Sequence, residues 1–106
     1  MDDLLIYLKL HHTEKGTIIA MCDENLIGKV LKDKELEIDL NKYSVFYKGD
    51  LVNKEKAASM IKVSSFFSAN IVGKESVDVF ENSFEFDKGS VRKIGDVPFL
   101  HVFKLE

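Results

Sequence analysis

The sequence has little cysteine, proline or arginine and no tryptophan or glutamine: Cys22, Pro98 and Arg92 are each the only residue of their kind. A lone cysteine excludes an intramolecular disulfide and a tetrathiolate zinc centre. A lone arginine removes most of the bidentate guanidinium contacts with which proteins read base edges. No apolar run approaches the roughly 18 residues that a membrane span needs. The opening Met1-Asp2-Asp3 is acidic where a secretory leader is basic, so the expectation is a soluble, cytoplasmic protein. Missing glutamine beside abundant lysine and glutamate matches a bias of hyperthermophile proteins, which concerns habitat and not activity.

What remains is a chain of 106 residues, 45% hydrophobic and 31% charged, which suits one domain over residues 1–106 with a continuous core. Its net charge of -3 and pI near 5.6 do not favour a phosphate-driven nucleic-acid binder, although a local basic face remains compatible with them.

Leu4 to His11 alternates with period two and reads as a strand. A turn at Thr13-Glu14-Lys15-Gly16 leads into a second strand from Thr17 to Cys22, giving an antiparallel hairpin. Residues Asp23 to Lys29 read as a loop or a short helical turn. Leu36, Ile38 and Leu40 alternate with Glu37 and Asp39, a strand with one face in water. Tyr43 to Tyr47 reads as a short extended piece closed by a turn at Lys48-Gly49-Asp50. Asn53 is a suitable N-cap for a helix whose inner face is Ala57, Met60, Ile61 and Ser64, with Val52 stapling against Ala57. Phe66 to Val72 is expected to be a strand bounded by Gly73, and Val77, Phe80 and Phe84 line a second helix. An acidic connector from Phe84 to Gly89 precedes a final hairpin of Val91–Ile94 and Val97–Leu105, with Pro98 at the start of a strand or on an edge. The architecture expected is α+β: a mainly antiparallel sheet of five or six strands with two helices packed on one side. A parallel crossover is expected, if anywhere, between Phe66 and Val91.

Two matching segments suggest chemistry. Asn25-Leu26-Ile27-Gly28-Lys29 is echoed by Asn70-Ile71-Val72-Gly73-Lys74, and each sets a flexible glycine before a cation. Backbone donors at a helix start, with an ammonium, suit a phosphate or carboxylate, so Asn25, Gly28, Lys29, Asn70, Gly73 and Lys74 are the candidate binding residues. Neither segment is a P-loop, because the earlier glycine is Asp23 in one and Ser68 in the other. The competing account is two solvated lysines after structural glycines. No metal or cofactor is expected: His11 and His12 point to opposite faces of a strand, and His101 reads as an imidazole packed with Phe99 and Phe103. Cys22 reads as a small buried hydrophobe that would need a histidine base to act as a nucleophile. Asp23 and Glu24 read as solvated loop acids. Tyr43, Phe46 and Tyr47 are either a stacking platform for unpaired bases, near Lys42, Lys48, Lys54 and Lys56, or an aromatic cover for the core.

The set His12-Thr13, Cys22-Asp23-Glu24, Leu26-Ile27-Gly28-Lys29, Tyr47-x-Gly49, Ala69-Asn70-Ile71-Val72-Gly73-Lys74 and Val97-Pro98 resembles the archaeal domain of unknown function 424 family. The resemblance runs from the first strand to the last. It implies a small intracellular protein whose genes neighbour those of translation and ribosome assembly, and it carries no activity, cofactor or catalytic residue. This chain departs from the pattern at Phe99, where the family resemblance leads one to expect a histidine. The function expected is a non-catalytic binding module contacting RNA phosphates or a ribosome-associated protein. The alternative is a small enzyme or ligand-binding protein with a pocket around Cys22, Asp23 and a histidine.

Overall fold

The alternating N-terminal run forms β1 (Leu5–Thr13), which turns at Glu14 and Lys15 and pairs antiparallel with β2 (Gly16–Asp23). The structure is a computed structural model that describes residues 4–85 and 88–104. The acidic N-terminal triplet, residues 86–87 of the expected connector and Leu105 of the expected last strand lie outside the described residues. After a 3-10 turn at Glu24–Leu26 come β3 (Val30–Asp33) and β4 (Leu36–Asp39), a separate two-stranded ribbon. One helical turn, α1 (Ser44–Tyr47), leads to β5 (Asp50–Asn53) and α2 (Lys54–Lys62). The chain closes with β6 (Phe66–Val72), α3 (Lys74–Ser83), β7 (Arg92–Ile94) and β8 (Val97–Phe103).

The main sheet has six strands in the order β5-β1-β2-β6-β8-β7. All its neighbours are antiparallel except β2 and β6, which run parallel with Cys22 opposite Val72. The fold is therefore α+β with a mainly antiparallel sheet, as the sequence pattern implies. The parallel step is elsewhere than expected: it joins β2 to β6 across the ribbon, α1, β5 and α2, while α3 returns the chain to an antiparallel β8.

Strand alternation sends side chains to two faces, and each face builds its own core. Ile6, Leu8, Ile19, Met21, Ala69 and Ile71 meet Ala57 and Ile61 of α2 and Val77 and Phe80 of α3. Phe66, Phe80 and Phe84 pack there as a cluster with ring centroids 5.1–5.8 Å apart, which adds directed ring contacts to the area buried. Asn53 caps α2 as its sequence position implies, accepting the Lys56 amide at 2.8 Å. Lys54 then links the two helices, donating to Glu75 at 3.1 Å and Asp78 at 2.6 Å.

The other face buries Ala20, Cys22 and Val72 under Leu26, Leu40 and Tyr47. Its cover is the ribbon with α1, in place of the extended piece expected over Tyr43–Tyr47. Two β1 side chains hold that turn: Lys9 Nζ donates to the Val45 carbonyl at 3.0 Å and His11 Nε2 to the Phe46 carbonyl at 2.7 Å. These are carbonyls that a helix end leaves unpaired. Gly49 follows, where an added Cβ would meet the Leu8 carbonyl and lie 2.8 Å from Lys9 Cβ, so only glycine lets the chain pass β1 this closely. Asp50, expected in a turn, instead begins the edge strand β5. His101, expected to be packed, is exposed and contacts Phe103 with ring centroids 4.6 Å apart.

Leu40 closes the second core with no exposed surface, and its carbonyl and amide pair with Gly28 and Lys29. Leu40→Ala should cost about 2–5 kcal/mol in urea unfolding, whereas Val63→Ala at an exposed helix end should stay within about 0.5 kcal/mol.

Candidate functional site

Gly73 precedes α3 with φ 112°, ψ 153° and no side chain with which to cap the helix. The cap comes from another strand. Because Cys22 lies opposite Val72, the next residue of β2, Asp23, arrives at the start of α3. Its Oδ2 accepts the Glu75 amide at 3.0 Å, and its Oδ1 accepts the Ser76 amide at 2.8 Å and the Ser76 hydroxyl at 2.7 Å. A carboxylate at the positive end of a helix is favourably placed, and here it is buried with partners for both oxygens. An added Cβ on Gly73 would lie 2.6 Å from each carboxylate oxygen, so the glycine makes room for the cap. Asp23 is thus a buried cap, a correction to its reading as a solvated loop acid.

This corner bears directly on the six candidate binding residues. The backbone donors expected to be vacant beside Gly73 and Lys74 are taken by the chain's own carboxylate. Asn25 and Lys74 both line a recess of about 260 Å³, together with Asp23 and Glu75. Gly28 and Lys29 serve another purpose, since their amides donate to the carbonyls of Leu40 at 2.8 Å and Leu26 at 3.1 Å and so start the ribbon. Asn70 is a mid-strand residue on the face of the second core, opposite His101 of β8. The matching segments are therefore not matching structures. Lys29 and Lys74 are exposed and have no ion-pair partner among the described residues.

The residues of the alternative pocket do not assemble. Cys22 is 0% exposed, and its thiol donates weakly to the Asp23 carbonyl at 3.4 Å. Burial, and then the Asp23 charge, push this thiol up to about 12. His11 is stacked on Phe46 and spends its Nε2 proton on the carbonyl there, which can only accept. His12 lies 3.1 Å from the Thr17 hydroxyl, and His101 is on β8, separated from β1 by β2 and β6. No hydrogen bond joins Cys22 to a histidine, and no cluster of three or more His, Cys, Asp or Glu suited to a metal exists, among the described residues.

The second face of the sheet carries a cleft. One part, about 340 Å³, is lined by Ile38, Asp39, Leu40, Tyr43, Phe46 and Tyr47. The other, about 210 Å³, shares Ile38 and Tyr47 and adds Asn70, Phe99 and His101. Of the three aromatic residues, Tyr47 belongs to the core, Phe46 is half-buried and Tyr43 is exposed. Cations sit over the rings at the rim, Lys42 at 5.5 Å from the Tyr43 centroid and Arg92 at 5.6 Å from that of Phe99. Lys54, by contrast, is held by Glu75 and Asp78. Burial, and then the neighbouring Cys22, push the Tyr47 hydroxyl up to about 12, so it stays a proton donor. Phe99 and His101 were not tied to these tyrosines by sequence reasoning. The available signal was the alternation that puts Asn70 on the Val72 face.

A model of the family described as protein of unknown function (DUF424) matches residues 10–105. A solved structure described as that of an uncharacterized conserved protein from Methanopyrus kandleri is similar with a TM-score of 0.80 and 23% identity, over 93% of this chain and 90% of that one. That likeness concerns the fold. No curated protein matches the chain. Among the described residues no helix is long and apolar enough to cross a membrane.

Two outcomes follow from the Asp23 corner. Asp23→Ala should cost about 2–4 kcal/mol, because it removes the cap and orphans buried donors, and Gly73→Ala about 2–3 kcal/mol through strain and overlap, both measured by urea unfolding. The raised Cys22 pKa means that the folded chain keeps a proton that the unfolded chain releases above its ordinary value of 9.0. Stability should therefore be unaffected by this group below about pH 9 and fall as pH rises toward about 12. Thermal melts from pH 8 to 11 should show that fall, and Cys22→Ala should make it shallower.

Proposed function

We propose that this chain, which belongs to the DUF424 family, is a non-catalytic RNA-binding module working beside the translation machinery in an archaeal cytoplasm. The observation that carries this reading is the way polar groups are divided. The reactive ones, Cys22 and Asp23, are buried and engaged, whereas Lys29 and Lys74 are exposed and unpaired among the described residues. Free ammonium groups suit phosphates, which are bound largely through charge and released counterions. The recess between Asn25 and Lys74 is itself a poor anion pocket, because Asp23 and Glu75 line it too. Lys29 and Lys74 therefore act as surface cations that steer and hold a backbone. RNA is favoured over a protein partner because rings with cations above them border an open cleft nearby, the combination that single strands use.

The alternative, a small enzyme or ligand-binding protein using Cys22, Asp23 and a histidine, has less support. A thiol near 12 supplies almost no thiolate at neutral pH, and no base is bonded to it among the described residues.

The double charge reversal Lys29→Glu with Lys74→Glu should lower ribosomal co-sedimentation by about tenfold or more while the melting temperature is kept. The slope of log affinity against log salt should become shallower by about 1.4, from two lost phosphate contacts on a single strand. Unchanged co-sedimentation would reject the reading.

A further inference from the structure

Tyr47 is 8% exposed, yet its hydroxyl makes no hydrogen bond to any described residue. Every buried side-chain nitrogen or oxygen among the described residues has a partner. The hydroxyl must therefore touch open space, and the space that Tyr47 borders is the cleft on the second face of the sheet. Asn70 repeats the pattern: it is half-buried, lines the narrower part of the cleft and has no side-chain partner among the described residues. His101 stands directly opposite it across the β6–β8 ladder. At the wider part, Asp39 bonds the described residues through Oδ1, which accepts the amides of Asn41 at 3.1 Å and Lys42 at 2.8 Å. Polar groups at the open side of an apolar cleft are hydrated, and a ligand that reproduces those hydrogen bonds can replace the water there.

The shape and chemistry of the missing group can be narrowed. The walls are aromatic, Phe46 and Tyr43 on one side of Tyr47 and Phe99 on the other, which suits a flat ring. A carboxamide offers a donor and an acceptor side by side, the pairing that asparagine makes with a base edge. An aliphatic ligand would leave Asn70 and Tyr47 as unpaired as before. Arg92 over Phe99 and Lys42 over Tyr43 put positive charge at the rim, where a ring carrying a phosphate would place it.

We infer that this cleft takes an unpaired nucleobase, its edge hydrogen-bonded by the Asn70 amide and the Tyr47 hydroxyl and its face laid on Phe99. The base comes from a single RNA strand or from a free nucleotide, and the first source rests on the RNA reading above. His101 closes the outer side, and Arg92 meets the attached phosphate.

The test compares short single-stranded RNA oligonucleotides, an abasic strand of equal length and free nucleoside monophosphates, by fluorescence polarisation and calorimetry. At least one base-bearing ligand should bind about tenfold tighter than the abasic strand or free phosphate. Tyr47→Phe and Asn70→Ala should each weaken it by about three- to tenfold. Neither substitution removes a side-chain hydrogen bond to a described residue, so the melting temperature should hold. Equal binding of abasic and base-bearing strands, base binding indifferent to both substitutions, or no binding by any ligand would overturn the inference. Binding of monophosphates alone would keep the base site and remove the RNA reading. Strands bound equally with or without bases, and weakened only by Lys29→Glu with Lys74→Glu, would do the reverse.

Discussion

The carboxylate of Asp23, buried beneath the start of α3, is the contact that the rest of the arrangement depends on. Parallel pairing of β2 and β6 brings two strand ends to the same edge of the sheet, one ending in an acid and the other opening a helix. The acid satisfies two backbone amides and a hydroxyl that burial would otherwise leave unpaired. It dictates glycine at position 73, and its charge adds to the burial that keeps the adjacent thiol protonated. A helix start of this kind is a ready place for an external anion, and this protein supplies its own. The backbone donors of Glu75 and Ser76 are therefore already spent, and what the corner still offers a partner is the exposed Lys74 side chain.

The two faces of the sheet are covered unequally, which explains where an opening is left. Helices α2 and α3 lay a broad apolar surface over one face and close it with a phenylalanine cluster. Among the described residues the opposite face is covered by a short ribbon, one helical turn and the turn that carries Leu26, which seal Cys22 and Val72 but stop short of Asn70 and His101. Glycine 49 lets the one-turn segment sit close to β1, and the Lys9 and His11 side chains hold its carbonyls. The cleft is therefore framed by fixed backbone, with its polar groups on a strand and a tethered turn.

Much of this was legible in the sequence. Period two located β1 and β4, β-branched residues β2, a short apolar run ending at Gly73 β6, the Gly95-Asp96 turn β7 and β8, and the Asn53 cap with its 3.6-residue pattern α2. What escaped was short or non-local. β3 and β5, unlike β4, show no alternation of apolar and polar residues, since Val30-Leu31 and Leu51-Val52 are adjacent, and β5 pairs only along the edge that β1 offers. Tyr43–Tyr47 is rich in aromatic and β-branched residues that favour strands, yet side chains from β1 fix it as a helical turn. Asp23 looked like an ordinary loop acid because its partners, Glu75 and Ser76, are distant in sequence. The likeness between residues 25–29 and 70–74 misled for the opposite reason: identical spacing was placed on a turn in one case and on a strand end in the other.

The central seam of the sheet joins strands separated by residues 24–65, while the β1–β2 and β7–β8 pairs close locally through tight turns. Ordering so long an intervening stretch must precede the reward of joining its ends, which makes the seam a late event in self-assembly. On a nascent chain emerging from the ribosome, the N-terminal hairpin would wait with one open edge until β6 had been synthesised. The protein's exposure to mispairing is thus greatest during its own manufacture.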